Sequence, residues 1–186
     1  QEASLIMSVY EVDSQRGPAG SEQVLRTRSR HFLESFRRLA TNVRLNNLDN
    51  RIKSLTISSA LPDEGKSSVS FFLAFASAAT GQKTLLVDTD LRHPTLHNLC
   101  NVSNEKGLSD YLIGDAPIGD SILNLPIDEN LFFMPAGTVS PDPTKVLSSK
   151  KVEEFYQQIY ETFDLVIFDT PPLLGLSDAF LVAKKT

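Results

Sequence analysis

The sequence predicts an α/β fold in which a parallel sheet is flanked by helices on both faces. Three observations carry this. Short apolar runs alternate along the chain with segments of helical periodicity, and strands that alternate with helices are joined by crossovers, which make neighbouring strands parallel. Two of the runs, Lys83–Val87 after its first two residues and Leu165–Phe168, are apolar throughout rather than at alternate positions, as in strands buried on both faces. Ser67–Thr80 is apolar around most of its girth, the pattern of a buried helix.

Residues 1–28 show no sustained periodicity, and Gly17-Pro-Ala-Gly20 reads as a turn-rich linker. The folded domain is placed at 29–186. Phe32, Leu33, Phe36, Leu39, Ala40 and Val43 then fall at helical spacing, with Arg30–Glu34 and Glu34–Arg38 able to pair at i,i+4 on the open side. Ser54–Ser58 is a short strand, and Ser67–Thr80 the buried helix, with Gly81 where a left-handed residue ends helices. Lys83–Val87 is the second strand. Short helices are expected at Thr95–Leu99 and Ser109–Ile113, and a third strand at Leu131–Met134. Asp142 before Pro143 marks a helix start, a carboxylate cap followed by proline in the first turn. Val152, Phe155, Tyr156, Ile159, Tyr160 and Phe163 form an amphipathic helix that makes both tyrosines core residues. Leu165–Phe168 is the fourth strand, and Ser177 caps a last helix, Asp178–Lys184.

At 186 residues, with 41% hydrophobic and 22% charged side chains, the chain has the composition of one globular domain rather than of a disordered, collagen-like or coiled-coil protein. Its one cysteine, Cys100, excludes an intrachain disulfide and a thiolate-rich metal site. The longest near-continuous apolar stretch, Val69–Thr80, carries Ser70 and Ser77 and is too short to span a bilayer. No signal peptide is visible. The chain opens on Gln1 and reads as a piece of a longer protein. The net charge is −5, yet Arg26–Lys53 holds eight basic side chains against Glu34 and Asp49. Such a segment suits an acidic partner or an anionic surface, or is simply a solvated helix face. The aromatics among these arginines, Phe32 and Phe36, belong to the apolar helical stripe and form no base-stacking platform, so no nucleic-acid partner is expected.

Ligands of parallel sheets sit beyond the strands' C-terminal ends, and three ends here carry chemistry. The first runs Ala60-Leu-Pro-Asp63-Glu64-Gly65-Lys66-Ser67. This has the form of a phosphate-binding P-loop with Ala60 at the first glycine position. In such a loop, backbone N–H groups and the positive end of the following helix surround phosphate oxygens. The loop segment Asp63, Glu64, Gly65, Lys66, Ser67 and Ser68 is therefore the expected nucleotide-binding set. Lys66 places a cation on the β- and γ-phosphates, and Ser67 offers a hydroxyl to Mg²⁺. The second strand delivers Asp88-Thr-Asp90-Leu-Arg92, the fourth Asp169-Thr-Pro-Pro172. Mg²⁺ takes hard oxygen ligands, and Asp169 is the expected Walker B carboxylate. Asp88 and Asp90 lie on one side of an extended chain, where one can support the metal and the other accept a proton; spacing does not decide between them. Arg92 can reach phosphate or pair with a carboxylate. The fold is thus expected to be P-loop NTPase-like.

These residues resemble the bacterial tyrosine kinases. Leu85–Arg92 matches that family's pattern of three hydrophobics followed by Asp-x-Asp-x-Arg, and Val166–Asp169 with Thr-Pro-Pro its third motif. Gly107-Leu-Ser-Asp-Tyr-Leu-Ile-Gly114, Met134-Pro-Ala-Gly137 and Pro141-Asp-Pro143 fit as well. The resemblance, from about His31 to Val182, implies an ATP- and Mg²⁺-dependent protein-tyrosine autokinase acting in exopolysaccharide biosynthesis or export. It implies Lys66, Asp88 and Asp90 as catalytic residues, with Asp88 the base, and Ser67, Asp88 and Asp169 around the metal. It implies a homo-oligomeric ring of octamer-like size with contacts from Glu34, Arg37 and Arg38, a membrane-embedded chain-length regulator as partner, and a place on the cytoplasmic side of the bacterial inner membrane. The chain departs from the family at Ala60 and Asp63, where glycine is usual, and at Ala40, where the contact motif ends in arginine. Relatives continue past the last helix with further strands and a tyrosine-rich tail, so this chain is expected to hold a truncated sheet. Tyr10 is the one local candidate acceptor.

Two other readings are carried. One is a nucleotide-responsive assembly module that phosphorylates nothing. The other is a hydrolysing P-loop ATPase, against which stands Leu61, where those relatives carry a second lysine.

Overall fold

The chain enters its sheet through a long helix, α1 (Ser21–Leu45), followed by β1 (Ser54–Ile57), α2 (Lys66–Ala78) and β2 (Thr84–Asp88). Two short helices follow, α3 (Leu96–Leu99) and α4 (Leu108–Ile113), then a 3₁₀ turn at Ile118–Ser121. Next come β3 (Leu123–Asn124), β4 (Leu131–Met134), α5 (Pro143–Leu147), α6 (Lys151–Thr162), β5 (Leu165–Asp169) and α7 (Asp178–Ala183). The structure, a computed structural model, describes residues 21–45, 52–114, 117–174 and 178–183; the side chains of 21–30, 178 and 180 lie outside that description. Residues 1–20, including Tyr10, and Ser177 also lie outside it.

The strand order is β1-β5-β2-β4-β3. The β1–β5, β5–β2 and β2–β4 pairs are parallel, as the alternation of elements predicts. The last pair is a correction. Leu123–Asn124 runs antiparallel to β4 at the edge, so the sheet is mixed. Two exposed residues cannot show a periodicity, and this strand was illegible in the sequence.

Helices cover both faces. Leu85, Val87, Val166 and Phe168 point to a core shared with α4, α5 and α6. Leu86, Leu165 and Ile167 point to the opposite core, shared with α1 and α2. Every residue of β2 and β5 is buried, which accounts for their continuous apolar runs. Tyr156 is buried in the first core and Tyr160 packs against it.

On α1, Phe32 and Phe36 lie with ring centroids 4.9 and 5.5 Å from that of Phe72 on α2, and Ala40 is buried in the same core. Leu39, placed in this stripe from its spacing, is instead 43% exposed. The helix also begins at Ser21, inside the segment expected to be linker. Ser21–Arg30 has no apolar stripe to announce it, but its Glu, Gln, Leu and Arg are good helix formers that extend a helix nucleated by packing further on. Gly81 has φ +82° and Asp142 Oδ1 accepts from the Lys145 N–H at 3.1 Å, so both helix-end signals hold. Among the described residues no helix is long and apolar enough to cross a membrane.

Candidate functional site

Parallel strands β5 and β2 end side by side, with Asp169 in register with Asp88 and, on its other flank, with Ile57 of β1. The loop from β1 to α2 closes over these ends. It turns through Asp63 at φ 61° and Gly65 at φ 86°. Glycine reaches this left-handed region without penalty and aspartate more readily than most residues, so the chain keeps the loop's shape with a single glycine. Lys66, Ser67 and Ser68 open α2, and the first N–H groups of a helix have no intrahelical acceptor. A cavity of about 670 Å³ lies in front of them, bounded by Asp63, Gly65, Lys66, Ser67, Ser68 and Asp90, within the range of small-molecule sites.

The charged side chains converge at its floor. Lys66 Nζ lies 3.6 Å from Asp90 Oδ2 and 3.9 Å from Asp169 Oδ2, and donates to Ser67 Oγ at 3.2 Å. The Ser67 hydroxyl donates to Asp169 Oδ2 at 2.7 Å. Ser70 Oγ, buried one turn further along α2, lies 2.9 Å from Asp169 Oδ1 and 2.9 Å from the Lys66 carbonyl. Asp169 is thus gripped on both oxygens. Burial raises its pKa, while the Ser67 hydroxyl, the Lys66 charge and the Ser70 hydroxyl pull it back. Its backbone is tied as well, since the Thr89 N–H and hydroxyl both donate to its carbonyl, at 2.9 and 2.6 Å.

Asp88 and Asp90 part company, contrary to the expectation that they share a side. β2 ends at Asp88, so the alternation of a pleated strand does not extend to Asp90. Asp88 turns inward: Oδ1 accepts from the Asp90 N–H at 3.1 Å and Oδ2 from the Leu96 N–H at 3.3 Å. Its carboxyl is fully buried and its pKa is pushed up to about 8, first by burial and then by the nearby charge of Asp169. Asp90 faces the cavity, and its Oδ1 accepts from the His93 N–H at 3.0 Å.

Lys66, Ser67, Asp90 and Asp169 therefore meet at one place, with Asp88 directly behind them. Arg92 Nη2 reaches the Thr144 hydroxyl at 3.5 Å. Glu34, Arg37 and Arg38 stand exposed on α1, away from the cavity, with Glu34 and Arg38 3.8 Å apart. Ala40 is buried against α2 rather than displayed beside them. Sequence reasoning missed Ser70, although a serine one turn after Ser67 in an otherwise apolar helix was a signal. It also missed His93, Thr95, Pro172 and Leu174, which wall the cavity; these give no signal until the chain folds back. Among the described residues no group of three His, Cys, Asp or Glu could hold a metal by itself. The adjacent Ser67 and Asp169 oxygens are hard donors of the kind Mg²⁺ takes, an ion commonly bound through one or two carboxylates, waters and substrate phosphates.

A P-loop after the first strand, aspartates at the ends of the adjoining strand and of the one beyond it, and a cavity over them define a P-loop nucleotide-binding protein. A family model described as an AAA domain matches residues 53–184. Tyrosine-protein kinase YwqD of Bacillus subtilis (strain 168) is 36% identical over 151 residues, 81% of this chain and 63% of that protein. The kinase domain of the Escherichia coli tyrosine kinase ETK superposes with TM-score 0.78 at 36% identity, covering 83% of this chain and 60% of that one. The septum site-determining protein MinD of Pyrococcus horikoshii, complexed with Mg-ADP, follows at TM-score 0.61 and 27% identity, covering 72% and 54%. The chain belongs to the bacterial tyrosine kinase family. It spans less than two thirds of YwqD.

Proposed function

We propose that this chain is the nucleotide-binding part of a protein-tyrosine kinase that transfers the γ-phosphoryl group of ATP to tyrosine. The observation that carries this reading is the meeting of Lys66, Ser67, Asp90 and Asp169 beneath the loop. The N–H groups of Asp63–Ser68 hold the phosphates, aided by the positive end of α2. Lys66, drawn now toward two carboxylates, exchanges them for the β- and γ-phosphates. Ser67 and Asp169 would hold Mg²⁺, which would supply positive charge against the phosphates. Asp88, the base that family membership implies, would take the proton of the tyrosine hydroxyl, and Asp90 would support the metal from the cavity side. Family membership extends the proposal to exopolysaccharide export, with a membrane-embedded chain-length regulator as partner at the cytoplasmic face of the inner membrane, and to ring assembly through Glu34, Arg37 and Arg38.

The test is incubation of the chain with ATP, Mg²⁺ and a glutamate–tyrosine copolymer, read with a phosphotyrosine antibody. Labelling is expected, and Lys66→Met should abolish it. Undiminished labelling by that variant would sink the assignment.

Two observations favour a second reading, a nucleotide-responsive assembly module. Asp63 sets a negative side chain at the cavity, and the third position of the ring-contact motif is the buried Ala40. Nucleotide that changes the oligomeric state while no phosphotyrosine forms would select it.

A further inference from the structure

The Glu64 side chain folds back onto the entry of the loop. Its Oε2 accepts from the Ala60 N–H at 2.9 Å and the Leu61 N–H at 3.0 Å. We propose that the Glu64 carboxylate is the brace that holds the phosphate loop in its nucleotide-receiving shape, a positioning residue and not a phosphate ligand. The inference rests on the nucleotide reading above.

Asp63 stands where glycine would relax the backbone: it is held at φ 61°, a conformation unfavourable for a residue with a Cβ. Left-handed residues on both sides of Glu64 reverse the chain twice, which returns its side chain over the loop's entry. One ionised oxygen then accepts two backbone N–H groups, and such charge-assisted bonds are about twice as strong as neutral ones. The clasp spans the strained Asp63 and offsets its cost. It also answers an electrostatic problem. A carboxylate beside a triphosphate repels it, but this one is turned to the base of the loop, where two backbone N–H groups solvate it. Phosphate is thereby confined to the later half of the loop, where the N–H groups of α2 begin.

The experiment compares the parent chain with Glu64→Ala, Glu64→Gln and Glu64→Ala/Asp63→Gly. Two quantities are read: amide hydrogen exchange at Ala60 and Leu61 in the nucleotide-free chain, and the Kd for a fluorescent ADP analogue with Mg²⁺. Glu64 is exposed, so the fold should survive each change. Glu64→Ala should speed exchange at both amides and raise Kd roughly tenfold, the loss expected of a charge-assisted bond. Glu64→Gln keeps a neutral acceptor and should stay within about threefold of the parent. Asp63→Gly should restore most of the affinity lost by Glu64→Ala, because glycine adopts φ 61° without strain. A parent chain that binds the analogue, with Glu64→Ala binding equally well, overturns the brace. So does a raised Kd with unchanged exchange, which would make Glu64 a direct ligand. A parent chain that does not bind at all overturns the nucleotide reading and the positioning role with it.

Discussion

Ser70 Oγ lies 2.9 Å from Asp169 Oδ1, while Ser67 Oγ, three residues earlier on α2, lies 2.7 Å from the other oxygen of the same carboxylate. Residues three apart share a helix face, so α2 holds Asp169 as a fork. The fork fixes the carboxylate's plane before any cation arrives. Ser70→Ala should free that plane, raising the Mg²⁺-dependent Kd for ADP while leaving metal-free binding unchanged. It should also cost about 1–3 kcal/mol of stability, the range for leaving a buried partner unsatisfied. Isothermal titration with and without Mg²⁺ and urea unfolding check the two halves.

Asp88 sets a pH dependence whose sign is fixed. Its folded pKa is about 8 against an ordinary 3.8, so between those values the folded chain binds a proton that the unfolded chain has lost. Stability must then fall as pH rises through that window and level off above it. Thermal unfolding in a chelating buffer should show Tm declining from the acid side toward pH 8. Asp88→Asn removes the ionisation and should flatten the slope. A slope unchanged in that variant would assign the effect elsewhere.

Gly107 explains a motif that carried no chemistry. A Cβ there would collide with the Pro135 carbonyl oxygen and the Gly137 N–H, both of them backbone. Asp110 Oδ2 seals the same junction, accepting from the N–H groups of Gly107 at 3.0 Å and Thr138 at 3.1 Å. Gly107→Ala should destabilise the fold by more than ~2 kcal/mol, as overpacking against backbone does. Denaturant unfolding measures this.

Cys100 should be chemically quiet. Burial and the nearby Asp88 charge push its thiol far above the ordinary range, and the thiolate is the reactive form. A thiol-specific chromogenic disulfide should label it more slowly in the folded chain than in guanidinium. Cys100 is half-buried against the core, and rapid labelling without denaturant would contradict the raised pKa.

Much of the architecture was legible because long or continuous patterns leave little choice. The continuous apolar runs of β2 and β5 favoured central strands between helical segments, and Asp142-Pro143 favoured a helix start. The P-loop and the three aspartates were legible because chemistry requires those residue types after a strand. What escaped lacked a pattern or depended on the fold. Leu123–Asn124 is too short for periodicity, and Ser21–Arg30 is helical without an apolar stripe. Asp88 and Asp90 separated because β2 ends between them, and a strand's end is the least readable part of its sequence. Ser70 looked like a solitary polar residue in an apolar helix until Asp169 was brought beside it.

Asp88 and Asp169 stand on neighbouring strands in the middle of the sheet, both almost completely sealed from water. Selection for folding alone would have put valine or isoleucine at both positions and raised the melting temperature. Proteins hold such liabilities where activity needs them, and the surrounding core must carry the deficit. The apolar strands and the buried α2 thus act as a reserve of stability. Substitutions that erode that reserve far from the cavity should become harmful sooner here than in a sheet of the same size with a greasy centre.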